Sequence, residues 1–160
     1  MAKAAKAVPQ GYHTITPSLT LDDAAKTIDW YKKALGAEEL SRSVGPDGKV
    51  MHAELKIGDS RFMVNDVMMG AKGPQALGGS PASLWLYVEN CDALYNRAVG
   101  AGATVQMPIA DQFWGDRGGA VADPAGYTWW ISTRKEDLTD SELQQRAAEF
   151  FKQMAESTPR

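Results

Sequence analysis

Two residues near the middle of the chain have the types that acid–base chemistry needs. His52 and Glu54 lie two positions apart in a segment that alternates polar and apolar residues. In a β-strand they therefore share one face, roughly 7 Å apart along the strand. An imidazole and a carboxylate at that spacing can act as general acid and base. The alternatives are a satisfied polar network with Lys56 or Arg61, or two ligands of an unusual metal site.

A second group of residues offers surface for binding. Trp85 and Trp130 lie in segments that alternate with hydrogen-bonding side chains, and Phe113 and Trp114 lie in a glycine-flanked loop. Flat rings beside polar groups suit a planar or partly aromatic organic ligand, over which the loop can close. The alternative is that the tryptophans only fill the interior, where tryptophans are most often found.

Composition and charge exclude several classes of protein. The chain has 160 residues, of which 44% are hydrophobic and 23% charged, as in ordinary globular domains. The net charge of -3 and scattered basic residues argue against a nucleic-acid partner. Apolar runs are too short to span a membrane, and the first residues lack a signal sequence, so we expect a cytoplasmic protein. The single cysteine, Cys91, excludes an internal disulfide.

Hydrophobic periodicity and turn signals predict the order strand, helix and three strands, twice over. In the first half the strands are expected at 12–21, 38–44, 50–57 and 61–67, with a helix at 23–35. In the second half they are expected at 83–88, 104–107, 119–122 and 127–132, with a helix capped by Asn90 and ended near Gly100. Along the predicted strands, Ile15, Leu19 and Leu21 are expected to face the helices.

The two halves match at a constant offset, which is the mark of a duplication. An offset of 67 places Asp22 and Asp23 over Glu89 and Asn90, and residues 57–64 over 124–131, with a slip of one residue after the helix. We therefore predict an α+β fold of two tandem βαβββ modules forming a cleft or half-barrel. The alternative is one α+β domain with chance similarity.

These patterns divide the chain into three parts. Residues 1–10 are expected to be a flexible tail, and 11–135 a single domain whose modules, 11–67 and 83–133, are joined by a linker at 68–82. Residues 136–160 begin with the capping-box pattern Thr139 to Glu142, which predicts an amphipathic C-terminal helix followed by a tail.

Four segments resemble the glyoxalase/bleomycin-resistance/dioxygenase family, the vicinal oxygen chelate superfamily. They are DDAAKTIDWYKKALGA (22–37), MHAELKIGDS (51–60), DQFWGDR (111–117) and DPAGY (123–127). The resemblance runs from about residue 12 to 135. It implies that each module curls into a half-barrel, that the two halves form a cleft, and that homodimers are common. The family includes lyases, isomerases, dioxygenases, thiol transferases and drug-sequestering proteins, so the resemblance does not specify an activity.

In metal-bearing members of this family, four residues face the cleft and hold a divalent ion. The resemblance places two of these positions at Thr16 and Trp130, and the internal offset adds Ser83 and Met63. None of the four offers an imidazole or a carboxylate ligand. We therefore predict no cofactor, since a divalent metal lacks support from its usual positions, and we do not expect metal-dependent activities.

The sequence thus predicts a protein that binds or sequesters a small organic molecule, aromatic or amphiphilic, without a catalytic metal. The alternative is a lyase or isomerase that uses His52 and Glu54 as acid and base or in an unusual metal site. A third possibility is a regulatory or structural module that interacts through its C-terminal helix. The expected ligand-binding residues are Thr16, Arg61, Met63, Ser83, Trp85, Tyr87, Phe113, Trp114 and Trp130.

Overall fold

The first module forms a four-stranded sheet with one helix. A computed structural model describes residues 6–157 of the chain. In chain order the elements are β1 (Ser18–Leu21), α1 (Ala24–Leu35), β2 (Glu38–Val44), β3 (Val50–Ile57) and β4 (Ser60–Asp66). The strands lie in the order β1-β4-β3-β2, with β1 parallel to β4 and the other neighbours antiparallel.

The second module repeats this plan. A short helix, α2 (Pro74–Leu77), lies in the linker. The module then consists of β5 (Ser83–Tyr87), α3 (Cys91–Gly100), β6 (Thr104–Asp111), β7 (Asp116–Ala122) and β8 (Thr128–Arg134). Its strand order, β5-β8-β7-β6, is the same as that of the first sheet, so the predicted fold of two βαβββ modules is confirmed.

The registers of the two sheets reproduce the sequence offset. Ser18 pairs with Met63 across β1 and β4, and Trp85 pairs with Trp130 across β5 and β8, which is the same pair shifted by 67 residues. On the neighbouring strands the offset is 66, because Glu54 lies opposite Met63 while Ala120 lies opposite Trp130. The one-residue slip after the helix, predicted from the sequence, is therefore present.

Both main helices begin at capping side chains. The carboxylate of Asp23 accepts a hydrogen bond from the Lys26 N–H, and the side chain of Asn90 accepts one from the Ala93 N–H. Such caps satisfy N–H groups that have no partner in the first helical turn. Gly36 ends α1 at φ 68°, a left-handed conformation that glycine adopts without a steric cost.

One core joins the two modules. Helices α1 and α3 contact each other, and each packs on its own sheet. The ring of Tyr31 in α1 touches Phe62 of the first sheet and Trp129 of the second in edge-to-face contacts at 5.8 and 5.3 Å. The Tyr31 hydroxyl donates to the buried carboxylate of Asp123 at 2.6 Å. The helices and their contacts therefore hold the modules together, and the opposite face of each sheet points away from this core.

The first strand is shorter than the sequence predicted. Pairing with β4 begins at Ser18, whereas we expected a strand from residue 12. Pro17 precedes this point and has no N–H to continue the ladder, although its carbonyl accepts a bond from the Met63 N–H. Leu19 and Leu21 are buried as expected, but Ile15 is 86% exposed, so its predicted place against the helices is wrong.

The C-terminal helix, α4 (Asp140–Ser157), lies on the second module. Its capping box forms as predicted, since Thr139 and Glu142 exchange side-chain and backbone hydrogen bonds. Arg146 pairs with Glu136, and Phe150 contacts Phe113, yet α4 buries none of its own residues. The predicted tail at 1–10 lies partly outside the described residues. Between residues 6 and 157, no helix is long and apolar enough to cross a membrane.

Candidate functional site

An aromatic stack lies on the face of the second sheet that points away from the core. The rings of Trp85 and Trp130 are parallel to within 5°, with centroids 4.7 Å apart. Tyr87, two residues along β5, continues the stack at 6.4 Å from Trp85. The parallel pairing of β5 and β8 places these side chains directly beside one another.

The loop between β6 and β7 adds two more rings to this surface. The loop is closed by a hydrogen bond from the Gln112 N–H to the Asp116 carbonyl at 2.7 Å, and Gly115 turns the chain at φ 94°. Trp114 packs edge-on against Trp85 at 6.1 Å, and Phe113 lies against Trp114. We call the surface formed by Trp85, Tyr87, Phe113, Trp114 and Trp130 the aromatic face.

Small residues on β7 leave room for these rings. Gly118 and Ala120 lie beside β8 on the same face as Trp130. Their counterparts in the first module, at the offset of 66, are His52 and Glu54. A Cβ atom at Gly118 would collide with the Ser132 hydroxyl and the Ile131 carbonyl, so a larger residue there would displace β8.

A buried carboxylate supports the aromatic face, and sequence analysis did not single it out. Asp116 is 1% exposed, and its Oδ2 accepts hydrogen bonds from the Tyr87 hydroxyl and the Trp114 indole N–H, both at 3.0 Å. Burial and this hydrogen bond raise the pKa of Tyr87. The only sequence signal was the position of Asp116 in the segment DQFWGDR, which does not reveal its burial.

The corresponding face of the first sheet is polar. The Nε2 atom of His52 lies 3.8 Å from the Glu54 carboxylate, whose other oxygen is 3.9 Å from the Arg61 guanidinium. Arg61 also lies over the ring of Tyr12, 5.1 Å from its centroid. Burial and the neighbouring Glu54 carboxylate raise the pKa of Tyr12. We call the surface formed by His52, Glu54, Arg61 and Met63 the polar face.

A cavity of about 710 Å³ connects the edges of the two sheets. Four of the predicted site residues line it, namely Arg61, Ser83, Trp85 and Tyr87. Its other wall includes segments just before and within β1 and the turn between β3 and β4. Trp85 and Tyr87 therefore belong both to this cavity and to the aromatic face.

The remaining predicted residues occupy three places. Phe113, Trp114 and Trp130 lie on the aromatic face, away from the lining of the cavity. Met63 lies beside Glu54 on the polar face. Thr16 is half-buried and precedes β1, so it takes no part in the pairing of the first sheet.

The sequence profile of the Glyoxalase/Bleomycin resistance protein/Dioxygenase superfamily matches residues 12–131. The chain belongs to this superfamily. An uncharacterised protein of Mycobacterium tuberculosis is 45% identical over 135 residues, which cover 81% of this chain and 79% of that relative. An uncharacterised protein of Mycobacterium bovis is also 45% identical, with 89% of its length covered.

Solved structures of other proteins share the fold. TioX from Micromonospora sp. ML1 has a TM-score of 0.62 and 25% identity, over 79% of this chain and 100% of TioX. A gene product of Arabidopsis thaliana has a TM-score of 0.63 and 27% identity, over 78% of this chain and 99% of its own. The superfamily profile ends before α4, so α4 lies outside the matched residues.

The divalent metal found in some members of the superfamily does not fit the residues at the expected positions. Thr16 and Ser83 offer neutral hydroxyls, Met63 a thioether and Trp130 an indole ring that lies flat on Trp85. Divalent ions of such sites prefer imidazole and carboxylate ligands. Within residues 6–157, no group of three His, Cys, Asp or Glu side chains is placed to hold a metal ion.

Proposed function

We propose that this superfamily member binds a small aromatic or amphiphilic molecule on its aromatic face, without a catalytic metal. The observation that carries the proposal is the exposure of large rings: Trp85 is 41% exposed and Tyr87 61% exposed. Core tryptophans such as Trp129, at 1%, are buried. Exposed, aligned rings offer stacking surface that a flat ligand can cover.

The surroundings of the rings supply the other features of a ligand site. The adjoining cavity of about 710 Å³ is within the range of small-molecule pockets. Its lining combines apolar side chains with Ser83 and the Arg61 guanidinium, which can orient a ligand through hydrogen bonds. The rings are held in place by packing and by the hydrogen bonds of Tyr87 and Trp114 to Asp116, so little order has to be gained on binding.

Tryptophan fluorescence provides the test. A panel of planar natural products and antibiotics should quench the native protein saturably, and Trp85→Ala or Trp130→Ala should weaken that binding by about tenfold, because base-like stacking on one ring contributes on the order of 1–3 kcal/mol. Met51→Ala is the matched control, since Met51 is 47% exposed but lies on β3 of the first module. A flat response across the panel would contradict the proposal, as would equal weakening by the control.

A lyase or isomerase activity is the second candidate, and the contact of His52 with Glu54 at 3.8 Å favours it. It ranks second because Glu54 is shared with Arg61 and the His52 side chain is 46% exposed. Elemental analysis of protein purified without chelator addresses the version of this activity that needs a metal. Stoichiometric metal that disappears in His52→Ala and in Glu54→Ala would favour the enzyme over the binding protein.

We further propose that two copies of the chain pair, as superfamily members commonly do. The modules pack through α1 and α3, so the polar and aromatic faces point away from the shared core. Pairing would allow the aromatic face of one copy to meet the polar face of the other. Light scattering at several concentrations should give the mass of a dimer, and the mass of a single chain at all of them would contradict pairing.

A further inference from the structure

Two buried polar atoms beside the aromatic face have no hydrogen-bond partner among the described residues. They are Oδ1 of Asp116 and Oγ of Ser132, in residues that are each 1% exposed. Buried polar atoms are nearly always paired, because leaving one without a partner costs on the order of 1–3 kcal/mol. Two such oxygens need a donor from outside the described side chains, such as a bound water or a ligand group.

The strand register places both atoms under the same rings. Ser132 pairs with Tyr87 on one side and with Gly118 on the other, so all three lie on the aromatic side of the sheet. The Asp116 carboxylate reaches across to the Tyr87 hydroxyl. Ser132 therefore lies beside Tyr87 on this side of the sheet, and the Asp116 carboxylate is joined to both Tyr87 and Trp114.

The neighbouring cations are engaged elsewhere. Arg134, the partner of Asp116 in the sheet register, donates to the exposed Asp137 at 2.8 Å. A cavity of about 610 Å³ reaches Asp116 from the side of α4, and Arg146 on its wall is paired with Glu136. Its remaining basic residues are Arg117, which binds Asp92 and Asp111, and Lys135. None of these cations forms an ion pair with Asp116 in the described chain. Asp137 and, to a smaller extent, the charge of Asp116 raise the pKa of Arg134, but Oδ1 of Asp116 is left without a hydrogen-bond donor.

We infer that the ligand of the aromatic face carries a protonated amine that binds Asp116 and Ser132 while its ring system lies against Trp85. An ammonium group has three N–H donors, and both free oxygens can accept from it. The faces of Tyr and Trp rings also attract a cation, and most strongly where water is excluded. This inference rests on the proposed binding function and narrows its ligand to molecules that carry an aromatic ring system and a protonated aliphatic amine.

Three probes that share one ring system test whether a positive charge on the ligand strengthens binding. Calorimetric titrations with naphthylmethylamine, naphthylmethanol and naphthoic acid of one substitution pattern compare a cation, a neutral hydroxyl and an anion. We expect the amine to bind at least about tenfold more tightly than the alcohol, because a hydrogen bond to a charged group contributes on the order of 1.5–3 kcal/mol. The acid should bind more weakly than the alcohol.

Asp116→Asn tests the assignment to this carboxylate. The amide oxygen can still accept from Tyr87 and Trp114, while its NH₂ group replaces the free acceptor with a donor. The affinity of the amine should fall to about that of the alcohol. Asp111→Asn is the matched control, because it removes the same charge from a side chain that is 80% exposed on the same hairpin.

A second variant covers the case in which Asp116→Asn unfolds. Ser132→Ala removes one acceptor and keeps the carboxylate, so it should weaken binding of the amine by about threefold and lower the preference for the amine over the alcohol. Equal affinity for amine and alcohol, or an amine preference that survives in folded Asp116→Asn, would overturn the inference and leave the binding function standing. Failure of all three probes to bind the native protein would overturn both.

Discussion

The two sheets present opposite chemistry from the same backbone. Ser18 and Met63 are paired in the first sheet where Trp85 and Trp130 are paired in the second. The strand beside each pair compensates for its size: Glu54 lies next to Met63, and Ala120 lies next to Trp130. The difference indicates that duplication preserved the framework while the faces that point away from the core diverged.

The preserved part is the set of contacts between helix and sheet. At the start of α1 the Ala24 N–H donates to Asp66, and at the start of α3 the Cys91 N–H donates to Thr133. Both donors are related by the offset of 67, and both acceptors lie at the end of the last strand of their module. The side chains changed, yet each still satisfies the first N–H of a helix.

The largest predicted effect is a difference in stability between two variants on opposite faces of β8. Trp129 is 1% exposed and packs on Tyr31, whereas its neighbour Trp130 lies on the aromatic face. Trp129→Ala should lower the free energy of unfolding by about 3–5 kcal/mol, since it empties part of the core. Trp130→Ala should cost clearly less and should weaken ligand binding. Urea denaturation of both variants measures the difference, and similar losses of stability would contradict the assignment of faces.

The second prediction compares the two helix starts. Asp66 is 8% exposed and accepts from two backbone N–H groups, those of Ala24 at 2.8 Å and Val50 at 2.7 Å. Asp66→Ala should lower the free energy of unfolding by about 2–4 kcal/mol, because both donors become unpaired. Thr133→Ala should cost only about 1 kcal/mol, as is typical of a lost cap. If urea denaturation gave the same loss of stability for both variants, the hydrogen bond from the Val50 N–H to Asp66 would contribute nothing.

The third prediction concerns the pH dependence of stability that Asp123 of the second module causes. Burial raises the pKa of Asp123 above its ordinary value of 3.8, against the opposing hydrogen bonds from Tyr31 and Trp129. The folded state therefore binds the proton more tightly than the unfolded state. The resulting stabilisation is fully present below pH 3.8 and is lost as pH rises through the folded pKa.

Asp123→Asn cannot titrate, so its free energy of unfolding should fall less steeply than that of the native protein as pH rises from about 4 to 7. Asp59→Asn removes an exposed carboxylate of the first module and serves as the control for general charge effects. Parallel pH profiles for the native protein and Asp123→Asn, measured by urea denaturation, would show that Asp123 is not the group responsible.

The framework could be predicted from the sequence because its signals are local. The Asn90 cap, the turn signals and the alternation of polar and apolar residues predicted the element order, and the offset of 67 predicted the two modules. The shortened β1 was missed because the alternating pattern continues through residues that have no partner strand.

Contacts between residues far apart in the chain could not be predicted from the sequence pattern. Asp116 is buried by Tyr87, which is 29 residues away in the chain, and the Asp123 carboxylate is reached by Tyr31 from 92 residues away. A charged residue in a loop-flanked segment is most often exposed, so nothing near either aspartate indicates burial. The hydrogen bonds from the aromatic face to Asp116 could therefore be recognised only in the folded structure.

The smallest predicted effect on stability tests whether the two faces are interchangeable. The triple variant Ser18→Trp, Glu54→Ala and Met63→Trp places a tryptophan pair at the register of Trp85 and Trp130, on a face where Ser18 is exposed. The alanine takes the place of the bulkier Glu54, as Ala120 does beside Trp130. The free energy of unfolding should change by less than about 1 kcal/mol.

Calorimetric titration with naphthylmethanol should then detect a second, weaker site in each chain. That site should show no preference for naphthylmethylamine, because the counterpart of Asp116 at the offset of 66 is Val50, which has no charge. An amine preference at the grafted site would mean that stacked tryptophans alone select the cation. If the number of ligands bound per chain did not change, binding would need the loop rings Phe113 and Trp114 as well as the stack.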